Sequence, residues 1–142
     1  MKKLILFMLV TFLSASVLYS QKLNVPDTVK STFNTMFPNA ADIKWGKENA
    51  KEYEADFKLN EVQMSANISV DGIWMETETT IDITALPEAV TDGITRDFPK
   101  AKILRAAKID KADKNIIYET VIKESGHKKK EVEYDEKGNK VE

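Results

Sequence analysis

The same lettering occurs twice in this chain. Val25-Pro26-Asp27-Thr28-Val29, running to Phe37-Pro38-Asn39-Ala40, returns as Leu86-Pro87-Glu88-Ala89-Val90, running to Phe98-Pro99-Lys100-Ala101, with Pro87, Pro99 and Ala101 each 61 positions after their counterparts. Each copy is followed by strand-like sequence holding a Tyr-Glu pair, Tyr53-Glu54 and then Tyr118-Glu119, and each ends near a glycine turn, Asp71-Gly72 and then Lys137-Gly138. The chain is therefore a tandem duplication: a leader over 1–20, a first repeat over 21–84 and a second over 85–142, both sharing one sheet.

Met1-Lys2-Lys3, the apolar run Leu4 to Leu13 and the small residues Ser14, Ala15, Ser16 and Ser20 read as a secretory signal peptide cleaved after Ser20. A retained anchor is the rival reading, disfavoured because the apolar run is short for a membrane span. Cleavage leaves 122 residues with 19 basic and 23 acidic side chains, a net charge of −4. That balance argues against nucleic acid, whose binding needs clustered Lys and Arg on phosphates. The chain has no cysteine, so it has no disulfide, no lipidated N-terminal Cys and no thiolate metal site. The expected location is periplasmic or secreted, with no membrane span after cleavage.

Val25 to Phe37 predicts a helix. Pro26 stands in its first turn, Val29, Phe33, Met36 and Phe37 form one apolar face, and Pro38 is the stop. Pro87 to Phe98 repeats the pattern through Val90, Ile94 and Phe98. Gly93 weakens that second helix by about 1 kcal/mol relative to Ala, and either lets it lie close to another element or has no role. Between the helices, Ala41 to Gly46 is a strand candidate with Ile43 and Trp45 facing one way. In Tyr53 to Leu59 every odd position is apolar or aromatic and every even one is charged, the period of a half-buried strand. Val62 to Val70 alternates as its hairpin partner, and Asp71-Gly72 turns the chain into Ile73 to Ile83, with Ile73, Met75, Ile81 and Ile83 expected on the dry side. The second half predicts strands over Ala101 to Ile109, with Ile103 and Ile109 together, then Ile116 to Lys123 and Lys128 to Tyr134, and a last stub at Val141. The class expected is α+β: one curved antiparallel sheet of about seven or eight strands, both helices on one face and the other face open.

On that open face, strand parity groups Trp74 with Glu76 and Glu78, and with Glu54 and Asp56 of a neighbouring strand. An aromatic anchor among polar groups is a candidate contact for a partner. The plainer reading is that Trp74 covers a sheet edge or packs under a loop while the carboxylates face solvent. Catalytic chemistry finds little to work with. His127 is the only histidine and sits in a turn beside Lys128 to Lys130, no Gly-x-Ser-x-Gly elbow occurs, and the five glycines are scattered singly. The reading is no enzyme, no catalytic residue, no cofactor and no metal site.

Val25-Pro26 with Phe37-Pro38-Asn39-Ala40, Ile43-Lys44-Trp45, Tyr53-Glu54-Ala55-Asp56-Phe57, Asp71-Gly72-Ile73-Trp74-Met75-Glu76-Thr77-Glu78, Leu86-Pro87 and Tyr118-Glu119 form an ordered set across the whole mature chain. In that set the sequence resembles the PepSY-like, beta-lactamase-inhibitor-like periplasmic proteins. The resemblance implies tandem helix-plus-sheet units, export, and a role in binding or restraining another protein of the cell envelope, with no catalytic residue supplied. Beta-lactamase inhibitor proteins look larger and carry disulfides, so a concave recognition sheet is the part that transfers. The functional expectation is an exported, non-enzymatic binding module for a protein or peptide, acting across the open sheet face. The alternative is a periplasmic carrier of a small ligand or cation. The oligomeric state is not legible.

Overall fold

The computed structural model describes residues 23–124 and 128–141; the leader and the Ser125-Gly126-His127 turn lie outside the described residues. Helix α1 (Asp27–Met36) precedes strands β1 (Ala41–Lys47), β2 (Glu52–Leu59), β3 (Val62–Ser69) and β4 (Trp74–Ile81). A 3-10 turn at Ile83–Ala85 leads to α2 (Glu88–Asp97), then to β5 (Lys102–Lys111), β6 (Ile116–Lys123) and β7 (Lys129–Asp135). The seven strands form one sheet in chain order, each antiparallel to the next. The fold is α+β. After β7 the chain turns back and forms one bridge, Lys140 to Tyr134.

The duplication carries into three dimensions at helix precision. α2 begins and ends 61 positions after α1, and Pro26 and Pro87 cap the two helices with φ near −58° and −57°. Phe37 and Phe98 close them outside the helical region, with φ of −128° and −136°, as the proline after each favours.

α1 sets Val29, Phe33 and Phe37 against Tyr53, Ala55 and Phe57 of β2 and Ala66 and Ile68 of β3. Phe33 is the hub: its ring lies 5.3 Å from Phe37, 5.2 Å from Trp45 and 5.0 Å from Phe57. α2 sets Leu86, Val90 and Ile94 against Ala106, Tyr118, Ile122, Val132 and Tyr134. Both helices lie on one face, because a single cross-strand row joins their floors: Phe57 pairs with Met64, then Thr79, Lys108, Tyr118 and Tyr134.

The glycine turns dock each repeat's hairpin on its own helix. Gly72 and Gly138 have φ of +81° and +76°, a region glycine enters without steric cost. A Cβ on Gly72 would meet the Thr28 carbonyl, and one on Gly138 would meet the carbonyl of Ala89, the repeat equivalent of Thr28. One turn along α1, the Thr32 hydroxyl donates to the Gly72 carbonyl at 2.6 Å. Its equivalent in α2 is Gly93, where a Cβ would lie 2.5 Å from the Gly138 carbonyl and 3.0 Å from the Tyr134 ring. Of the two readings of Gly93, the close approach is the one observed.

Three register shifts break the parity on which the strand faces were assigned: between Ala41 and Lys44, between Asn67 and Ile68 opposite Trp74–Glu76, and between Ile103 and Arg105. A bulge adds one residue to one strand and so moves everything beyond it to the other face. Ile73 and Met75, expected on the dry side, are 61% and 37% exposed. Ile103 stays under α2, while Ile109 pairs with Glu78 and Ile117 on the opposite face. Met36 and Ile43 are exposed as well, and Ile83 belongs to the 3-10 turn and not to a strand.

Candidate functional site

The face away from the helices is built of rows that run across the strands. One row is Lys44, Asp56, Ser65, Glu78, Ile109, Ile117 and Asp135; the next is Gly46, Glu54, Asn67, Glu76 and Lys111. On the other side lie Thr80, Ala107, Glu119 and Glu133, then Arg105, Val121 and Glu131. Glu54, Asp56, Glu76 and Glu78 of the expected set therefore do share the open face.

Trp74 does not join them. It pairs with Ile68, a fully buried residue of the helix side, and its Nε1 donates to Oγ1 of buried Thr77 at 2.9 Å. The bulge at Met75 reverses the parity that had grouped Trp74 with the carboxylates. Trp74 is half-buried on the helix side of the sheet.

Ala107, Ile109, Ile117 and Val121 are only 6–9% exposed although no helix covers them. Side chains on an uncovered face reach that burial where the sheet curls and its own rows shield one another. Glu78, Thr80, Arg105, Ala107, Glu119 and Val121 line a depression there of about 70 Å³. A second hollow, at the β1–β2 edge, includes Asp42, Lys44 and Asp56.

Shielding acts on the carboxylates too, since removing water disfavours the charged form. Burial, then the charges of Asp56, Glu48 and Glu78, push the Glu54 carboxyl up to about 7. Burial, then Glu78, Glu131 and Glu133, push Glu119 up to about 7 against the pull of Arg105. Burial also raises Glu78, against Arg105 and reinforced by Glu76, Glu131 and Asp56. It raises Glu133 in the same way, opposed by Lys111 and reinforced by Glu76 and Glu131. Glu54 and Glu119 are the two glutamates of the repeated Tyr-Glu pair. Each follows a buried tyrosine of the helix side, so each necessarily points to the open face.

Lys44, Lys58, Arg105 and Lys111 stand among these carboxylates. Glu76 is held by Lys111 Nζ at 2.8 Å and receives Asn67 Nδ2 at 3.3 Å. Asn67 Oδ1 is shielded from solvent and has no hydrogen-bond partner. Sequence reasoning missed Glu119, Glu131, Glu133 and the apolar floor. The signal for Glu119 was present, because the Tyr-Glu pair that supplied Glu54 recurs in the second repeat. The floor was hidden by the bulge before Arg105.

The arrangement is a curved surface of hydrogen-bond acceptors over an apolar floor. Among the described residues no three His, Asp or Glu side chains are placed to hold a metal ion, and no helix is long and apolar enough to cross a membrane.

The model of one family, described as "Putative beta-lactamase-inhibitor-like, PepSY-like", matches residues 17–68 and again 51–141. Among curated proteins, none matches the chain. Solved structures share the fold. A DUF2874 family protein from Bacteroides uniformis superposes with a TM-score of 0.74 at 16% identity, over 82% of this chain and 86% of that one. A protein from Bacteroides eggerthii described as a putative periplasmic protein gives 0.72 at 21% identity, over 84% and 87%. A BLIP-like protein from Bacteroides fragilis gives 0.69 at 18% identity, over 86% of each chain.

Proposed function

The chain belongs to the putative beta-lactamase-inhibitor-like, PepSY-like family, and from that premise we propose that it is an exported, non-enzymatic module that binds and restrains another protein of the cell envelope through the open sheet face. The observation that carries this reading is the state of that face. It holds four buried apolar side chains and a set of carboxyls whose charge burial disfavours, with no element of the described residues laid over them. A surface left in that condition gains when a partner covers the apolar floor and supplies donors to the carboxylates. The contact set is Glu54, Asp56, Glu76 and Glu78, extended to Glu119 and Glu133; Trp74 supports the sheet from behind and is not an anchor. A periplasmic location is the reading of the leader sequence and agrees with the printed description of the Bacteroides eggerthii neighbour.

The test is cross-linking. A photoreactive residue at Thr80, exposed on the open face, and a second at Met36, exposed on the helix layer, are placed in the chain from residue 21 onward and incubated with cell-envelope extract of the source organism. A protein cross-linked from Thr80 and not from Met36 supports the reading. Cross-links only from Met36, or from neither position, remove it.

A further inference from the structure

The middle of the open face is acidic, and this narrows what can cover it. Eight carboxylates share its middle, Glu54, Asp56, Glu76, Glu78, Glu119, Glu131, Glu133 and Asp135, against Lys44, Lys58, Arg105 and Lys111, while Lys102, Lys123 and Lys129 pair across one end of it. Glu119 stands directly opposite Glu133, a like-charge pair that costs stability unless something between them carries positive charge. The orphan oxygen of Asn67 adds one more acceptor to the row between Glu54 and Glu76. Ionised carboxylates and an amide oxygen accept hydrogen bonds and donate none, whereas ammonium and guanidinium groups donate and accept none.

The spread of these groups sets the size of the occupant. They reach from β2 to β7, five strand spacings of roughly 4.8 Å, or roughly 24 Å. No three of them are gathered tightly enough to hold one metal ion. Single cations would leave most of the row unsatisfied, while about seven residues of extended chain, at roughly 3.3 Å each, cover it.

We propose that the open face docks a basic segment of its partner protein, Lys and Arg side chains lying across the strands and reaching Glu78 and Glu119 on either side of the depression between them. This rests on the binding reading above and adds to it the chemistry of the partner. The apolar floor at Ala107, Ile109, Ile117 and Val121 receives the methylene stems of those side chains, which pack on apolar surface while their charged ends reach the carboxylates.

The probe is a synthetic peptide of about eight residues alternating Lys and Gly, beside the same peptide with Glu for Lys, titrated at low salt against the chain and against its Glu78→Gln/Glu119→Gln double variant. The variant should fold, because each substitution removes a charge whose desolvation opposes folding. Expected is binding of the Lys peptide alone, weakened about tenfold or more in the variant and severalfold between about 50 and about 200 mM salt. No binding of the Lys peptide, equal binding of the Glu peptide, or equal affinity for the variant overturns the proposal. The cross-linking experiment separates this failure from that of the broader reading. A partner cross-linked from Thr80 with equal efficiency in chain and variant removes the basic segment and keeps the binding module. Absence of any cross-link from Thr80 in the parent chain removes both.

Discussion

Acidification should stabilise this protein before it destabilises it. Glu54 and Glu119 are raised from 4.5 to about 7 in the folded chain. A carboxyl that binds its proton more tightly when folded opposes folding above its folded pKa, and this opposition fades as the pH drops through about 7 toward 4.5. The full shift would correspond to about 3 kcal/mol per group, but both carboxyls retain access to water, and halving for screening leaves about 1.5 kcal/mol each. Roughly 60% of that is realised between about pH 8 and about pH 5.5, so the pair contributes about 2 kcal/mol over the window. For a domain of this size that is a rise in Tm of roughly 6–8 °C. Glu78 and Glu133 move in the same direction and add to it. The opposing groups lie elsewhere on the scale: Asp82, Asp97 and Asp135 are held below their usual value of 3.8, so their contribution is lost only at lower pH.

The assay is calorimetric melting of the chain from residue 21 onward between about pH 8 and about pH 5.5, beside the Glu54→Gln/Glu119→Gln variant. The variant isolates these two carboxyls from every other group that titrates in the window. It should melt several degrees higher than the parent at pH 8 and show a flatter profile. A parent Tm that stays level or falls on acidification, or a variant with the parent's slope, refutes the account of the face as a desolvated carboxylate surface.

Gly93→Ala should lower stability by about 1–2 kcal/mol, since the clash with the Gly138 carbonyl and the Tyr134 ring outweighs the roughly 1 kcal/mol of helix propensity gained; a raised melting temperature would refute the close approach. Trp74→Phe removes the donor to buried Thr77 Oγ1 and should cost about 1–3 kcal/mol in chemical denaturation, while Lys-peptide affinity stays at the parent value, as it must if the indole lies on the helix side. Phe33→Ala opens the hub of four aromatic rings and should cost about 3–5 kcal/mol, read as a lower urea midpoint. Tyr134→Phe loses the hydroxyl that donates to Asp97 Oδ2 at 2.9 Å and should cost about 1 kcal/mol by the same measurement.

The fold was legible because its strongest signals are local and repeated. Pro26 and Pro87 fix where helices begin, Pro38 and Pro99 fix where they end, and the alternation in Tyr53 to Leu59 can only be a half-buried strand. Those cues need no knowledge of the neighbours. The faces were less legible, because facing is a count of residues carried along a strand and a single bulge resets it. The shift opposite Asn67–Ile68 sent Trp74 behind the sheet, and the shift between Ile103 and Arg105 brought Ile109 to the front. Neither leaves a mark in composition: no glycine stands at Met75 or Leu104, and the inserted residue is unremarkable in type.

What survives a bulge is a pair of adjacent residues, one for each face. Tyr53-Glu54 and Tyr118-Glu119 carry their own orientation: once burial claims the tyrosine, the glutamate has no other side to occupy. The duplication then does the rest. Two copies of one hairpin, joined in a single sheet by the pairing of β4 with β5, place two such glutamates on one curved surface with Glu78 between them. Burial makes each charge dearer to keep, and Glu78 adds its charge to both. Burial apart, the first repeat raises Glu54 through its own Asp56, Glu48 and Glu78, whereas the first charge acting on Glu119 is Glu78, across the join of β4 and β5, so that end of the acidic surface is a product of both halves.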